Sequence, residues 1–289
     1  MKWAYGLTTV PKRLKDLFPR TLASLAKAGF DKPRLFVDNC EYPSLYDGFG
    51  LEVTHRWPCI RTYGNWILAL AELYIREPNA DRYAIFQDDF VTMLGLREYL
   101  EKCNYPTRAY LNLYTFPANQ RLAPDKNGWY QSNQAGYGAV ALVFSRDAVT
   151  TLLGQQSMIE RPKDTKRGHK SVDGAIVSAF KKAGWKEYVH NPSLVQHTGL
   201  LSSMGNSQHP LAESFPGEDY NALDLLGDNY IEVPPSNEWE IELASLKRAM
   251  QEDRERLAAA GTQKEISHFK LLIAKYERRI AVHMTKANR

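Results

Sequence analysis

The sequence predicts an α/β fold: a mostly parallel sheet flanked by helices, with a helical hairpin appended at the C-terminus. Three observations predict it. Short apolar runs alternate with amphipathic segments through the first part of the chain, the pattern of βαβ units. One compact apolar run, Tyr83-Ala84-Ile85-Phe86, leads directly into two adjacent carboxylates. From Glu238 onward there is no proline, and Ala, Glu, Lys, Arg and Leu dominate. The 289 residues, 44% hydrophobic and 24% charged, suffice for a large domain over 1–236 and a hairpin over 237–289.

Taken in order, Trp3 to Leu7 reads as a first strand that runs into the loop Thr8-Thr9-Val10-Pro11. Leu17 to Ala28 is a helix with Leu17, Leu22, Leu25 and Ala26 on its apolar face and Gly29 as its stop. Arg34 to Val37 is a second strand closed by Asp38-Asn39, and Leu51 to Thr54 a short third. Trp66, Ile67, Leu70, Leu73 and Tyr74 give helical spacing over Asn65 to Tyr74, ended by Glu77-Pro78. Tyr83 to Phe86 is a buried strand. Ala109 to Tyr114 and Gly138 to Phe144 follow as strands, the second apolar enough to be central. Asp173 to Ala183 is a helix ending at Gly184, and Tyr188-Val189 a brief strand. Ser, Gly, Pro and Asn make 202–237 a wrapping loop. In the hairpin, Trp239, Leu243, Leu246, Met250 and Leu257 precede the turn at Gly261, and Ile266, Phe269, Ile273, Tyr276 and Ile280 follow it.

The formal net charge of +4 suits an anionic ligand such as a sugar diphosphate and is too small by itself to indicate nucleic acid. Cys40, Cys59 and Cys103 are odd in number and form no zinc or CxxC pattern, so reduced thiols and a cytoplasmic location are expected. No apolar stretch approaches the roughly 18 residues of a membrane span, and the N-terminus turns polar before a signal segment forms.

The chemistry concentrates at Gln87-Asp88-Asp89-Phe90. Ligands of open α/β sheets bind outside the carboxyl ends of the strands. Two neighbouring carboxylates there repel each other and lose solvation, and a cation is the usual compensation. Oxygen ligands beside a diphosphate suit Mg²⁺ or Mn²⁺; the plain alternative is a solvated Asp-Asp at a loop start or helix cap. His197, after a short apolar strand, is a candidate to complete a metal shell with Asp89, or else a hydrogen-bonded core histidine. Asp173, at a helix start, could take an acceptor proton, although an acid there is also a common cap. Arg61 is a candidate for leaving-group stabilisation or a surface arginine. The run Arg161 to Lys170 is a basic loop able to steer an anion.

The order of strand, Thr-rich loop, strand ending in Asp, helix carrying Gly64-Asn65, and strand into an acidic pair resembles the GT-A fold of nucleotide-sugar transferases. Gln87-Asp88-Asp89 is similar to the Glu-Asp-Asp variant of that fold's DxD motif. Pro192-Ser193-Leu194-Val195-Gln196-His197-Thr198-Gly199 resembles a segment of the N-acetylglucosaminyltransferase IV family, and the likeness covers roughly residues 1 to 220, the size of one domain. The resemblance implies a UDP-sugar or similar nucleotide-diphosphate sugar donor, an acceptor glycan or other hydroxyl compound, and inverting transfer. It implies Asp89 as metal ligand, His197 at the metal and diphosphate, Asp88 at the donor ribose or sugar, and Asp173 as catalytic base. Thr8, Thr9 and Val10 would line the base pocket, with Asp38 at the nucleoside and Asn65 near the sugar nucleotide. Gln87 stands where that motif has an acid, which lowers the charge of the site. An anchor like that family's is not expected here, so its N-glycan acceptor is not carried over.

Two other classes fit parts of the sequence. A nucleotidyltransferase would also use a metal-bound acidic pair, but no Walker-type phosphate loop is present. A nonenzymatic carbohydrate- or nucleic-acid-binding protein could share the fold. Lys264, Lys270, Lys275, Arg278, Arg279, Lys286 and Arg289 outnumber Glu265 and Glu277 after Thr262, so a basic helix could follow phosphates, or a modified DNA base could be the acceptor. The apolar seams of the hairpin could close on the first domain or pair two subunits.

Overall fold

A computed structural model of the chain describes residues 1–122, 127–159, 171–199, 210–226 and 250–287, the last segment without 252, 256 and 260. The basic loop at 161–170, much of 202–237, and Trp239, Leu243 and Leu246 lie outside these. The chain divides into two compact units, Met1–Ile231 and Glu232–Arg289.

In the first unit eight strands form one sheet in the order β3-β2-β1-β4-β8-β6-β9-β7. They are β1 (Trp3–Thr9), β2 (Arg34–Asp38), β3 (Val53–Arg56), β4 (Arg82–Gln87), β6 (Ala109–Asn112), β7 (Gly128–Gln131), β8 (Ala141–Ser145) and β9 (Lys186–Asn191). The first four are parallel. Strand β8 runs antiparallel to both β4 and β6, β9 is parallel to β6, and β7 is antiparallel to β9. The expected mixed α/β architecture is therefore present, with β8 in the central position its apolar sequence called for.

Side chains alternate across the sheet because the strand period is two. Leu35, Val37, Ala84 and Phe86 enter one core with Leu7, Phe18 and Leu25. Phe36, Tyr83 and Ile85 enter the other with Trp66, Leu70, Ile176 and Phe180. Burying each such Leu or Phe contributes roughly 2 kcal/mol. Helix α1 (Leu17–Lys27) covers the first face, while α2 (Arg61–Arg76) and α7 (Val172–Lys182) cover the second. Gly6 sits where a Cβ would come within 2.3 Å of the Phe36 ring, so β1 and β2 pack only with glycine there.

Element bounds differ from expectation where local signals misled. Strand β3 starts at Val53 rather than Leu51, because its pairing with β2 sets Val53 opposite Leu35. Helix α2 starts at Arg61, four residues before Asn65. The sequence pattern missed a 3₁₀ segment at Pro43–Phe49, the short helix α3 (Leu96–Lys102), and β7. The short helix α4 (Pro117–Gln120) precedes β7, and α5 (Arg146–Leu153) and α6 (Gln156–Ile159) lie between β8 and α7.

A separate two-stranded ribbon positions the site. Strands β5 (Phe90–Thr92) and β10 (Val195–His197) pair antiparallel, with His197 opposite Phe90. Two hydroxyls on one face of α1 hold β5. Thr21 donates to the Phe90 carbonyl (2.7 Å) and accepts from its N–H, and Ser24 accepts from the Thr92 N–H (2.9 Å). This explains two polar residues buried on a helix face that otherwise packs apolar side chains.

In the second unit, the described residues are helical within 250–259 and again over Gln263–Ala287. Thr262 accepts from the Glu265 N–H, and the Glu265 carboxylate accepts from the Thr262 N–H, a reciprocal cap that starts the second helix. Arg254 and Glu277 form an ion pair at 3.2 Å between the two stretches. No helix among the described residues is long and apolar enough to cross a membrane.

Candidate donor and metal site

The carboxyl ends of β1, β2 and β4 lie at one edge of the sheet, together with the start of β8, which runs the other way. Strand β1 ends in Thr8-Thr9, β2 in Asp38, and β4 in Gln87 followed by Asp88-Asp89. Both aspartates are 7% exposed. Thr9 donates to Asp88 Oδ2 at 2.6 Å, and Thr8 donates to the Phe86 carbonyl at 3.0 Å. Burial, and then the charge of Asp89, push the Asp88 carboxyl up from 3.8 to about 6, against the pull of Thr9 and Arg13.

His197 reaches this edge through backbone pairing. The β5–β10 ribbon continues past His197 in a bond from the Thr198 N–H to the Asp89 carbonyl (2.8 Å). His197 Nε2 thereby stands 3.4 Å from Asp89 Oδ2. Two residues more than a hundred positions apart are joined by strands of three residues each. Gly199 packs over both: a Cβ there would lie 3.0 Å from His197 Cε1 and 3.1 Å from Asp89 Oδ2.

Among the described residues no group of three or more His, Cys, Asp or Glu side chains converges on one metal position; Asp89 and His197 offer two donors, and a hard divalent ion there would take its remaining ligands from phosphate or water. Two ligands at right angles, each about 2.1 Å from an octahedral cation, stand about 3 Å apart. The carboxylate of Asp89 and the imidazole of His197, 3.4 Å apart, are close to that separation, and any side chain at 199 would press on both. The structure supplies one element that the sequence did not indicate. Arg13, in a 3₁₀ turn at Pro11–Arg13, places Nη2 3.4 Å from the same Asp89 oxygen. Its side chain is 9% exposed. Val10 is the extended residue that starts this turn, and its carbonyl accepts from the Arg13 N–H. The buried basic group at Asp89 is thus Arg13, whereas Arg61 is exposed at the head of α2.

The remaining expected residues divide into two groups. Asp38 is 3% exposed and accepts from the Ile60 N–H (2.9 Å) and the Cys59 thiol (3.3 Å), which ties the end of β2 to the segment entering α2. Asn65 accepts from Arg56 and donates to the Phe36 carbonyl, both at 2.9 Å; its amide locks α2 to the ends of β2 and β3. Gln87 donates through Nε2 to the Ala139 carbonyl at 2.8 Å. A carboxylate could not make that bond, which gives a physical reason for glutamine in place of an acid.

Asp173, in the first turn of α7, accepts from the Gly138 N–H at 2.8 Å. Gly138 adjoins the Ala139 carbonyl that Gln87 holds, so one loop links Asp173 to the end of β4. Gly138 has φ +74, and a Cβ there would come within 2.4 Å of the Tyr114 ring. The loop fits its place only with glycine.

No protein-family profile matches the chain. No curated protein matches it either. Solved structures give likenesses of shape at low identity. One is GalNAc-T7 with UDP, GalNAc and Mn²⁺: 13% identity, 98% of this chain and 58% of that one covered, TM-score 0.46. The chain thus spans less than two thirds of that protein. A second is mannose-1-phosphate geranyltransferase from Thermus thermophilus, at 15% identity over 66% of this chain and 74% of that one, TM-score 0.40. A third is CMP:2-keto-3-deoxy-manno-octonic acid synthetase complexed with CTP, at 13% identity over 65% and 89%, TM-score 0.37. The ligands named belong to those proteins.

Arg13 was missed because its neighbours Lys12 and Lys15 make it look like part of a solvated basic turn. The available signal was its distance from the strand end: β1 runs through Thr9, past the Leu7 expected, and Pro11, only two residues later, is preorganised to start a helical turn.

Proposed function

We propose that the chain is a metal-dependent glycosyltransferase that moves a sugar from a nucleotide-diphosphate sugar, a UDP-sugar foremost, to an acceptor hydroxyl with inversion. One observation carries the reading: Asp88, Asp89 and His197 meet at the carboxyl edge of the parallel strands, Asp89 and His197 within 3.4 Å. The resemblance of the QDD and PSLVQHTG segments to nucleotide-sugar transferases points the same way. A bound Mn²⁺ or Mg²⁺ would neutralise charge on the leaving diphosphate. Asp89 and His197 would hold it, and Asp88, fixed by Thr9, would face the donor.

Thr8, Thr9 and Val10 border the place where the base and ribose would lie, with Asp38 at the nucleoside and Asn65 supporting the floor of that region. Asp173 is assigned as the general base. Its hydrogen bond from Gly138 fixes one carboxylate oxygen, and the other is assigned to take the acceptor proton. Three free thiols, Cys40, Cys59 and Cys103, favour the cytoplasm as the site of reaction. The acceptor is assigned only as a hydroxyl compound, and the second unit is a candidate surface for a second copy.

The test is turnover of a panel of sugar nucleotides, with nucleoside diphosphate as the product scored; pyrophosphate would instead indicate nucleotidyl transfer. Asp89→Ala should abolish turnover, and a variant as active as wild type, with or without chelator, rejects the metal. Asp173→Asn should lower kcat by orders of magnitude with donor affinity preserved; an unchanged kcat rejects the base.

A further inference from the structure

We propose that Arg13 is the resident cation of the donor site, neutralising Asp89 when no donor is present and meeting the diphosphate of the donor when it binds. The inference rests on the reading of Asp88, Asp89 and His197 as the donor site. It goes beyond that reading by adding a second, protein-borne positive charge that competes with the metal for one carboxylate and cooperates with it toward the phosphates.

Three features lead there. First, Arg13 is buried, at 8% exposure, and brings its guanidinium, a planar fork of donors suited to carboxylate and phosphate, to the loop at the end of β1. Second, the 3₁₀ turn Pro11–Arg13, closed by the bond from the Arg13 N–H to the Val10 carbonyl at 3.0 Å, sets the side chain in the loop that follows Thr8 and Thr9. Third, the 3.4 Å from Nη2 to Asp89 Oδ2 is longer than the roughly 2.7–2.9 Å of a tight charge-assisted bond. The guanidinium neutralises Asp89 without being clamped to it. His197 approaches the same oxygen at the same distance, so guanidinium and imidazole converge on one atom.

A purely structural ion pair and a resident cation predict different things. If Arg13 only braces Asp89, removing it disturbs the site and weakens every ligand. If it is the resident cation, its removal has opposite effects on two probes. Asp89 becomes a stronger ligand for a bare cation, because the competing charge has gone. A nucleoside diphosphate without metal binds more weakly, because the phosphates then meet two carboxylates with no positive charge beside them.

The experiment is calorimetric titration of the full-length protein with Mn²⁺ alone, and separately with UDP in chelator, for wild type, Arg13→Gln, Arg13→Lys and Asp89→Asn. Arg13→Gln should bind Mn²⁺ about tenfold more tightly and metal-free UDP about tenfold more weakly. Arg13→Lys keeps the charge but loses the fork, so its Mn²⁺ affinity should stay within about twofold and its UDP affinity fall severalfold. Shifts of both probes in one direction, or no shift in either, overturn the inference. Should Arg13→Gln fail to fold, the lysine variant decides: unchanged UDP affinity overturns it. The two levels of reading fail separately. Equal Mn²⁺ binding by wild type and Asp89→Asn removes the donor site itself, whereas Asp89-dependent Mn²⁺ binding that ignores Arg13→Gln removes only the role of Arg13.

Discussion

Acid should weaken the segment that delivers His197, and the size of the effect follows from one buried imidazole. His190, at the end of β9, is 1% exposed. Its Nδ1 donates to the Pro192 carbonyl at 2.7 Å, leaving Nε2 to accept from the Tyr99 hydroxyl at 2.6 Å; the tautomer follows from the carbonyl, which can only accept. Burial pushes its pKa down from 6.5 to about 4. The unfolded chain therefore binds the proton first. Stability is fully present above pH 6.5, falls through the window between 6.5 and 4, and is lost below it. A shift of about 2.5 units corresponds to about 3 kcal/mol in total, of which about 2 kcal/mol is gone by pH 5. Wild type alone will not display this cleanly, since burial raises the Glu187 carboxyl and its protonation favours the folded state as pH falls. The measurement is urea unfolding from pH 7.5 to 4 for wild type and His190→Gln, whose amide can keep both bonds but cannot titrate. The difference between the two curves should shrink by about 3 kcal/mol across the window. Parallel curves would show that the imidazole is not held neutral as described.

Gln87→Glu restores the acid of the related motif yet should lower stability by about 1–3 kcal/mol in urea at neutral pH, because a carboxylate then faces the Ala139 carbonyl; a neutral or stabilising result would deny that bond. Gly199→Ala forces a methyl against His197 and Asp89. Mn²⁺ affinity should fall at least about tenfold, with the melting temperature moving only a few degrees; unchanged affinity would mean that the space beside those groups is not used.

Much of the architecture was legible because its signals are local. Strand β4 is a compact apolar run, and α1 and α7 carry a 3.6-residue period ended by Gly29 and Gly184, both at positive φ. The pair Thr262 and Glu265 spells out a helix start. What escaped the sequence lacks such marks. Helix α3 begins at Gly95 in the left-handed region with no side-chain cap, so nothing before Leu96 announces it. Strand β5 has three residues, too few for a period, and is held by Thr21 and Ser24 on a helix about 70 positions away; the short apolar strand before His197 was readable, but its pairing with β5 was not. The residue types of the candidate site were readable, whereas the contact between Asp89 and His197 depends on that long-range ribbon. Asn65 and Gln87 show the converse. Their place near the motif was readable, but that both amides are engaged in holding backbone carbonyls emerges only from the packing.

The charge balance at the sheet edge leads to a last prediction. Asp38, Asp88 and Asp89 are all buried there, and Arg13 offsets one of them. Asp38 is served by a backbone N–H and a thiol, and Asp88 by the Thr9 hydroxyl, but hydrogen bonds do not cancel the repulsion between adjacent carboxylates. A fold selected for stability alone would replace one of them; a site that receives a cation keeps them and carries the cost. Asp88→Asn preserves an acceptor for Thr9 and removes one charge, without leaving Arg13 unmatched, since Asp89 remains. In chelator this variant should be more stable than wild type by about 1–2 kcal/mol. With Mn²⁺ at a hundredfold excess over its dissociation constant, wild type should gain about 2.7 kcal/mol and the variant markedly less, so the order reverses. If the variant is the less stable protein in chelator, the two carboxylates are not in conflict, and the electrostatic case for a cation at this edge falls with that result.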